Sequence, residues 1–240
     1  MIIHREYQQR SAEWAMAHIG IPTASEFGQL VDSKWARREG GPWKSYVAQK
    51  LAEKWQQHPL PGIGSFHTEQ GQLLEDEAIP YWELEHQAKI EQVGFITTDL
   101  GDIGCSPDGL VLDQGFGLEI KCPAAHTMVR WLIAGKVPKE HLPQVHGCLL
   151  VTGLPQWRFL AYRRGFPALE IIVNRDEEIL DSLRFVLEEF AAEFEVGWKK
   201  LCDANGGPPP KREPYRHPSA ADPNWLNEPQ AETSADVPIP

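Results

Sequence analysis

The chain has 240 residues, with 42% hydrophobic and 24% charged side chains. Those proportions are ordinary for a globular protein and exclude wholesale disorder, a collagen repeat and a coiled-coil rod. A net charge of −11 argues against a protein that coats nucleic acid indiscriminately, which would be basic. It leaves room for a cleft whose positive charge is gathered locally or supplied by metal ions.

The length suits one core with additions, or two small domains. No apolar run approaches the ~20 residues of a membrane span. The opening stretch MIIHREYQQR carries no apolar leader, so the expectation is a cytoplasmic protein. Cys105, Cys122, Cys148 and Cys202 are scattered, without a C-x-x-C pair. They read as reduced, buried thiols rather than a zinc site or a disulfide framework.

In chain order, Thr23-Ala24-Ser25-Glu26 before Phe27, Leu30 and Val31 predicts a helix start, with Thr23 as N-cap and Glu26 completing a capping box. Tyr46, Val47, Leu51 and Trp55 stand at helical spacing. A further helix is predicted over 70–85, with Leu73, Leu74, Ile79 and Trp82 toward the core and Pro80 as a candidate kink. The period then shortens, and strands are predicted over 90–97, 103–112 and 116–122. Helices over 126–134 and 141–151, strands over 157–162 and 169–173, and a long helix over 176–198 follow. That last helix places Ile179, Leu183, Val186, Leu187, Phe190 and Phe194 in one stripe. The order implies an α/β (α+β) domain over residues 1–202, with a central mixed sheet flanked by helices. Residues 203–240 contain nine prolines and few apolar side chains, so they read as an extended or disordered tail with Trp225-Leu226 as its apolar island.

The chemistry concentrates in IGCSPDGLVLDQGFGLEIKCP, residues 103–123. A hairpin turning near 113–114 sets Asp108 opposite Glu119, and opposed Cβ atoms are about 4.5–5.5 Å apart. Two carboxylates so close repel unless a cation lies between them. Glu119 and Lys121 share a face, while Leu118 and Ile120 point into apolar packing. Hard oxygen donors suit Mg²⁺ or Mn²⁺, which assist phosphodiester hydrolysis by offsetting charge on the phosphate and acidifying a water. Lys121 is the candidate to orient that water or hold the phosphate, and Glu75 the candidate third carboxylate. Taken alone, an acidic–basic run on a strand is commonly a solvated face.

Ser106-Pro107-Asp108-Gly109 followed by Gly117-Leu118-Glu119-Ile120-Lys121 resembles the PD-(D/E)xK nuclease signature. More narrowly, the chain resembles the phage lambda exonuclease and YqaJ-type viral recombinase family. Trp14 before Gly20-Ile21-Pro22-Thr23-Ala24-Ser25-Glu26, Gly71 with Glu75 on a helix before the strands, and Gln144 on a later helix agree in order, over roughly residues 10–200. The resemblance implies a restriction-endonuclease-like core. It implies a 5′-to-3′ exonuclease on linear double-stranded DNA that leaves 3′ overhangs for a single-strand annealing protein. It also implies two Mg²⁺ ions, a toroidal homotrimer, and a phage or prophage gene expressed in a bacterial cytoplasm. Asp108, Glu119 and the Ile120 carbonyl would bind metal, Lys121 would be catalytic, and Glu75 and Gln144 would support them. Ser25, with Thr23, would hold a 5′-phosphate at a helix N-terminus. His18 stands where the family carries an arginine, which questions dependence on that phosphate. Lys34, Arg37 and Arg38 are candidates for the duplex backbone, and Trp14 for stacking on a base. His67, His141 and His146 could approach the cleft, although isolated histidines are more often structural.

Two other readings stand beside this one. An iron–sulfur nuclease of the same superfamily, CRISPR-associated or helicase-attached, needs clustered cysteines that this chain lacks. A non-catalytic DNA-end scaffold would dispense with the carboxylates that this chain retains.

Overall fold

The computed structural model describes residues 1–60 and 69–211. Strand β1 (Ile2–His4) is followed by helix α1 (Ala12–Ala17), a 3₁₀ segment at Ala24–Gln29, and helices α2 (Gly41–Gln56) and α3 (Glu69–His86). Strands β2 (Phe95–Thr97), β3 (Gly104–Cys105), β4 (Gly109–Val111) and β5 (Phe116–Lys121) come next. Helices α4 (Ala125–Ala134) and α5 (Leu142–Thr152), strands β6 (Gln156–Ala161) and β7 (Leu169–Asn174), and helix α6 (Glu177–Ala204) complete the described chain. It is a mixed α/β fold in which β4-β5-β6-β7 form one sheet and β1-β2-β3 a smaller one.

The predicted strand over 103–112 is two strands in two different sheets, and the break falls at Ser106-Pro107-Asp108. Proline lacks the N–H that a continuing ladder needs. The strand over 90–97 shortens to Phe95–Thr97, with Glu91 keeping an isolated bridge to Leu110. The segment after Thr23 is 3₁₀ rather than α, and no capping box forms. The Thr23 hydroxyl donates to the Glu26 carboxylate at 3.0 Å instead of accepting a backbone N–H.

Strand β5 is central, antiparallel to β4 and parallel to β6. Its even-numbered side chains, Phe116, Leu118 and Ile120, are buried together with Ala78 and Trp82 of α3. Its odd-numbered positions face the larger core, where Trp157 and Phe159 of β6 meet α2, α5 and α6. The α6 stripe is buried as its period predicts, from Leu183 to Phe194, with Leu180 added. Asp176 caps that helix by accepting from the N–H groups of Glu178 and Ile179. Trp82 is fully buried, Leu74 and Ile79 are half-buried, and the side chain of Leu73 lies outside the described part. All four cysteines are free, Cys105 and Cys148 being buried. Helix α6 runs to Ala204, and residues 212–240, with Trp225 and Leu226, lie outside the described residues. Among the described residues no helix is long and apolar enough to cross a membrane.

The hairpin between β4 and β5 closes through Gly115 at φ 74°, a conformation that glycine adopts without strain. Gly117 has a different reason: a Cβ there would stand 2.4 Å from the Trp157 ring. Gly117→Ala is therefore expected to destabilise the protein by about 1–3 kcal/mol through overpacking. A urea midpoint unchanged from the parent protein would contradict that packing.

Candidate active site

The β4–β5 register pairs Gly109 with Leu118 and Leu110 with Gly117. Continued one residue past β4, it sets Asp108 opposite Glu119 on one face of the sheet. The Lys121 Nζ lies 2.5 Å from Glu119 Oε1. Residues on β5 alternate in the edge to which their backbone groups point. The Lys121 carbonyl accepts from Tyr162 N on the β6 side, so the N–H and C=O of Ile120 point toward the β4 side. There the Ile120 N–H donates to Asp108 Oδ2 at 2.5 Å. The residue that register sets opposite Ile120 is Pro107, which has no N–H to give. Its carbonyl is turned to the Gln9 side-chain amide at 2.8 Å. Pro107 thus both ends the ladder and leaves the Ile120 carbonyl without a ladder donor, beside Asp108.

Glu119 is 1% exposed, and its Oε2 is buried without a hydrogen-bond partner. An orphaned carboxylate oxygen is costly unless a cation meets it. Burial, then the charge of Glu119, push the Asp108 carboxyl up to about 8. Burial opposes the charge on Lys121, but Glu119 and Asp108 outweigh it and hold the ammonium above the usual lysine range. Glu75 of α3 also acts on Asp108 and pairs with Arg10 Nη2 at 2.7 Å. Arg10, Glu75, Asp108 and Ile120 line one cavity of about 430 Å³. Among the described residues no three His, Cys, Asp or Glu side chains converge as a ready-made metal cage. The donor set is therefore two carboxylates plus the Ile120 carbonyl, hard oxygens that suit a divalent cation retaining several waters.

Other predicted residues are placed differently. Gln144 is half-buried in the first turn of α5, and among the described residues no hydrogen bond joins it to the carboxylates. His141, just before α5, does come near: burial and then Lys121 lower its pKa to about 4, and it stacks against Phe159. His146 is buried edge-on to Trp35, and His67 lies outside the described residues.

His18 and Trp14 are half-buried and hydrogen-bonded within the protein. The Trp14 indole N–H donates to the Gly94 carbonyl and the Ser106 hydroxyl, each at 3.0 Å. His18 Nδ1 lies 2.6 Å from the Trp14 carbonyl, which can only accept, so Nδ1 carries the proton and Nε2 accepts from Ser106 at 3.2 Å. Burial lowers the His18 pKa to about 4, so the imidazole is neutral and its two nitrogens are occupied. These bonds fix the Trp14 ring through its N–H and occupy both nitrogens of His18.

Ser25 is exposed, 3.3 Å from the Thr23 hydroxyl. Behind it the 3%-exposed Lys50 is held between Glu26 at 3.0 Å and Glu53 at 3.1 Å, with Tyr46 donating to Glu26. The sequence pattern did not single out Lys50, because it lies on the apolar face of α2. Lys34 and Arg38 are exposed. Arg37, expected as a duplex contact, is half-buried, pairs with Glu193 of α6 at 2.9 Å and stacks 4.0 Å from Trp43.

Residues 13–155 match the YqaJ-like viral recombinase domain. The chain belongs to that family. No curated protein matches it closely enough in sequence to count as a relative. Among solved structures, the YqaJ-like domain is similar in fold to an alkaline exonuclease (LHK-Exo) from Laribacter hongkongensis, also solved with dAMP. The TM-score is 0.72 at 24% identity, over 81% of this chain and 97% of that one. A phage-related exonuclease from Haemophilus somnus 129PT matches with a TM-score of 0.56 at 13% identity, over 75% of this chain and 96% of that one.

The close acid pair has a thermodynamic signature. An Asp108 carboxyl whose folded pKa is about 8, against about 3.9 unfolded, binds more protons folded than unfolded. Its contribution to stability is therefore greatest below pH 4 and declines as pH rises toward 8. In EDTA at pH 8, Asp108→Asn is expected to melt higher than the parent protein. The parent is expected to gain stability with Mg²⁺ and the variant to gain little, as read by thermal melting. Equal Mg²⁺ shifts in both would remove Asp108 from the ligand set.

Proposed function

We propose that this YqaJ-like protein is a divalent-metal-dependent nuclease that digests linear double-stranded DNA from its ends in the 5′-to-3′ direction, leaving 3′ overhangs. The observation that carries the reading is the buried, unpartnered Glu119 Oε2 on the strand that bears Lys121, with Asp108 facing it from the other arm of the hairpin. Membership of a viral recombinase domain family supports a role in recombination. The likeness in fold to exonucleases, one of them solved with a mononucleotide, supports release of single nucleotides.

Asp108, Glu119 and the Ile120 carbonyl would hold Mg²⁺, with room for a second ion toward Glu75 and with Mn²⁺ as a substitute. The metal would supply positive charge against the negative charge that gathers on the phosphate. Lys121 keeps its proton, so its role is to donate a hydrogen bond to the attacking water or a phosphate oxygen and fix its approach. Water then adds at phosphorus as the bond to the 3′ oxygen breaks. Each turn releases a 5′-nucleotide and leaves a new 5′-phosphate. Neutral His141 lies close enough to sense Lys121 and lends no competing positive charge. The proposal extends to an annealing partner that loads on the overhang, to a homotrimer encircling the duplex, and to a phage or prophage origin in a bacterial cytoplasm.

Two experiments bear on this. Linear duplex with Mg²⁺ should yield mononucleotides, and EDTA should stop the reaction. Lys121→Ala and Asp108→Ala should each lower the rate by a factor of about 10² or more, the loss of about 2.7 kcal/mol of transition-state stabilisation. Intact DNA with the parent protein, where binding persists, favours the scaffold reading instead. The second concerns the 5′ end. Lys50 is sequestered by two glutamates and His18 is neutral, so the surroundings of Ser25 offer little charge to discharge a terminal phosphate. Ends bearing 5′-phosphate and 5′-hydroxyl should be cut at similar rates. A preference above about tenfold, equivalent to about 1.4 kcal/mol, would contradict this.

A further inference from the structure

The N-terminal stretch from Arg5 to Arg10 forms one wall of the cavity that holds Asp108 and Ile120, and it brings two arginines there. Arg10 has φ 68°, a left-handed conformation uncommon for a non-glycine residue. Its neighbours fix it there. The Gln9 amide nitrogen donates to the carbonyls of Val93 at 2.9 Å and Pro107 at 2.8 Å, tying the arm to the residue before Asp108. Ser11 caps α1 by accepting from the Trp14 N–H at 3.1 Å. Arg10 is thus held in register with Asp108 from both sides, at some backbone strain.

Its side chain is 43% exposed, and Glu75 accepts from one of its five N–H groups. Around the cavity Asp108, Glu119 and Glu75 are set against Lys121 and Arg10. The cavity wall also carries Glu6 and Asp76 against Arg5, so acidic side chains outnumber basic ones around it and removing Arg10 would widen that excess. A strand of DNA brought to this cleft meets repulsion that Arg10 offsets, and a planar guanidinium suits a phosphate as a forked donor. Arg5, paired to Glu91 by Nε at 2.6 Å, stands on the same wall with its fork end uncommitted in that pair.

We propose that Arg10 contacts a backbone phosphate of the DNA strand in the active-site cleft, with Arg5 as a second contact along the same wall. This rests on the nuclease reading and adds a strand-binding arm to it. The alternative role for Arg10 is a clip that only holds Glu75, and binding measurements separate the two. In the Lys121→Ala background, which prevents cleavage, the affinity for a fluorescent duplex end with Mg²⁺ is read by anisotropy over a range of salt concentrations.

Adding Arg10→Ala should weaken binding about tenfold and lower the slope of log affinity against log salt by about 1, the signature of one lost phosphate contact. Arg10→Lys should retain most of the slope. Arg10→Gly, which suits φ 68°, should lose affinity as Arg10→Ala does while melting no lower than its parent. That result separates lost contact from lost folding. Parental affinity and slope in Arg10→Ala, or parental binding in Arg10→Gly with loss only in Arg10→Ala, would overturn the proposal. Cleavage by the protein with Arg10 and Lys121 intact is measured alongside. If it cuts DNA while Arg10→Ala binds normally, the arm fails and the nuclease reading stands; if it does not cut, the nuclease reading itself fails.

Discussion

Two carboxylates and one ammonium are packed at the end of a hairpin, Glu119 buried and Asp108 and Lys121 half-buried beside a cavity, and the surrounding structure is organised around that imbalance. Asp108 and Glu119 face each other because the hairpin has an even register about residues 113 and 114. Lys121 balances one of the two negative charges, leaving Glu119 Oε2 buried and unpartnered and the Asp108 carboxyl with a strong tendency to keep its proton. Such an arrangement destabilises the metal-free protein. A fold retains it where the liability is also the working part, a preformed place for a hard cation.

Several features far from conspicuous in the sequence hold that place rigid. Pro107 ends the ladder of β4, frees the Ile120 carbonyl and presents its own carbonyl to Gln9. Ser106, one residue earlier, accepts from Trp14 and donates to neutral His18, so the loop before Asp108 is pinned from behind. On the other side Phe116, Leu118 and Ile120 are packed with Ala78 and Trp82 of α3, the helix that also carries Glu75. Parallel pairing of β5 with β6 places Phe159 beside Glu119 and anchors the strand in the main core.

Much of this was legible in the sequence because period and spacing are local. The two-residue alternation of Glu119-Ile120-Lys121 separates charged from apolar faces without tertiary information, and turn residues at 113–115 set the register. The α6 stripe follows from its 3.6-residue period. What stayed hidden depends on partners distant in the chain. Nothing near Pro107 says that 103–112 changes sheets. Arg37 reads as a free cation until α6, some 150 residues on, supplies Glu193. His18 and Trp14 look available until Ser106 arrives to bond both. Lys50 reads as part of an apolar helix face because its two glutamate partners are one turn away and on another segment. Arg10 sits in a non-periodic turn whose conformation no pattern announces.

The most direct measurement is the anomalous scattering of Mn²⁺ in crystals of the protein. A peak within coordination distance of Asp108, Glu119 and the Ile120 carbonyl, with Lys121 turned from Glu119 toward the solvent side of the ion, is the predicted result. A peak only at surface acids, with the Lys121–Glu119 pair still closed, would contradict the assignment of this hairpin as a metal-dependent catalytic centre.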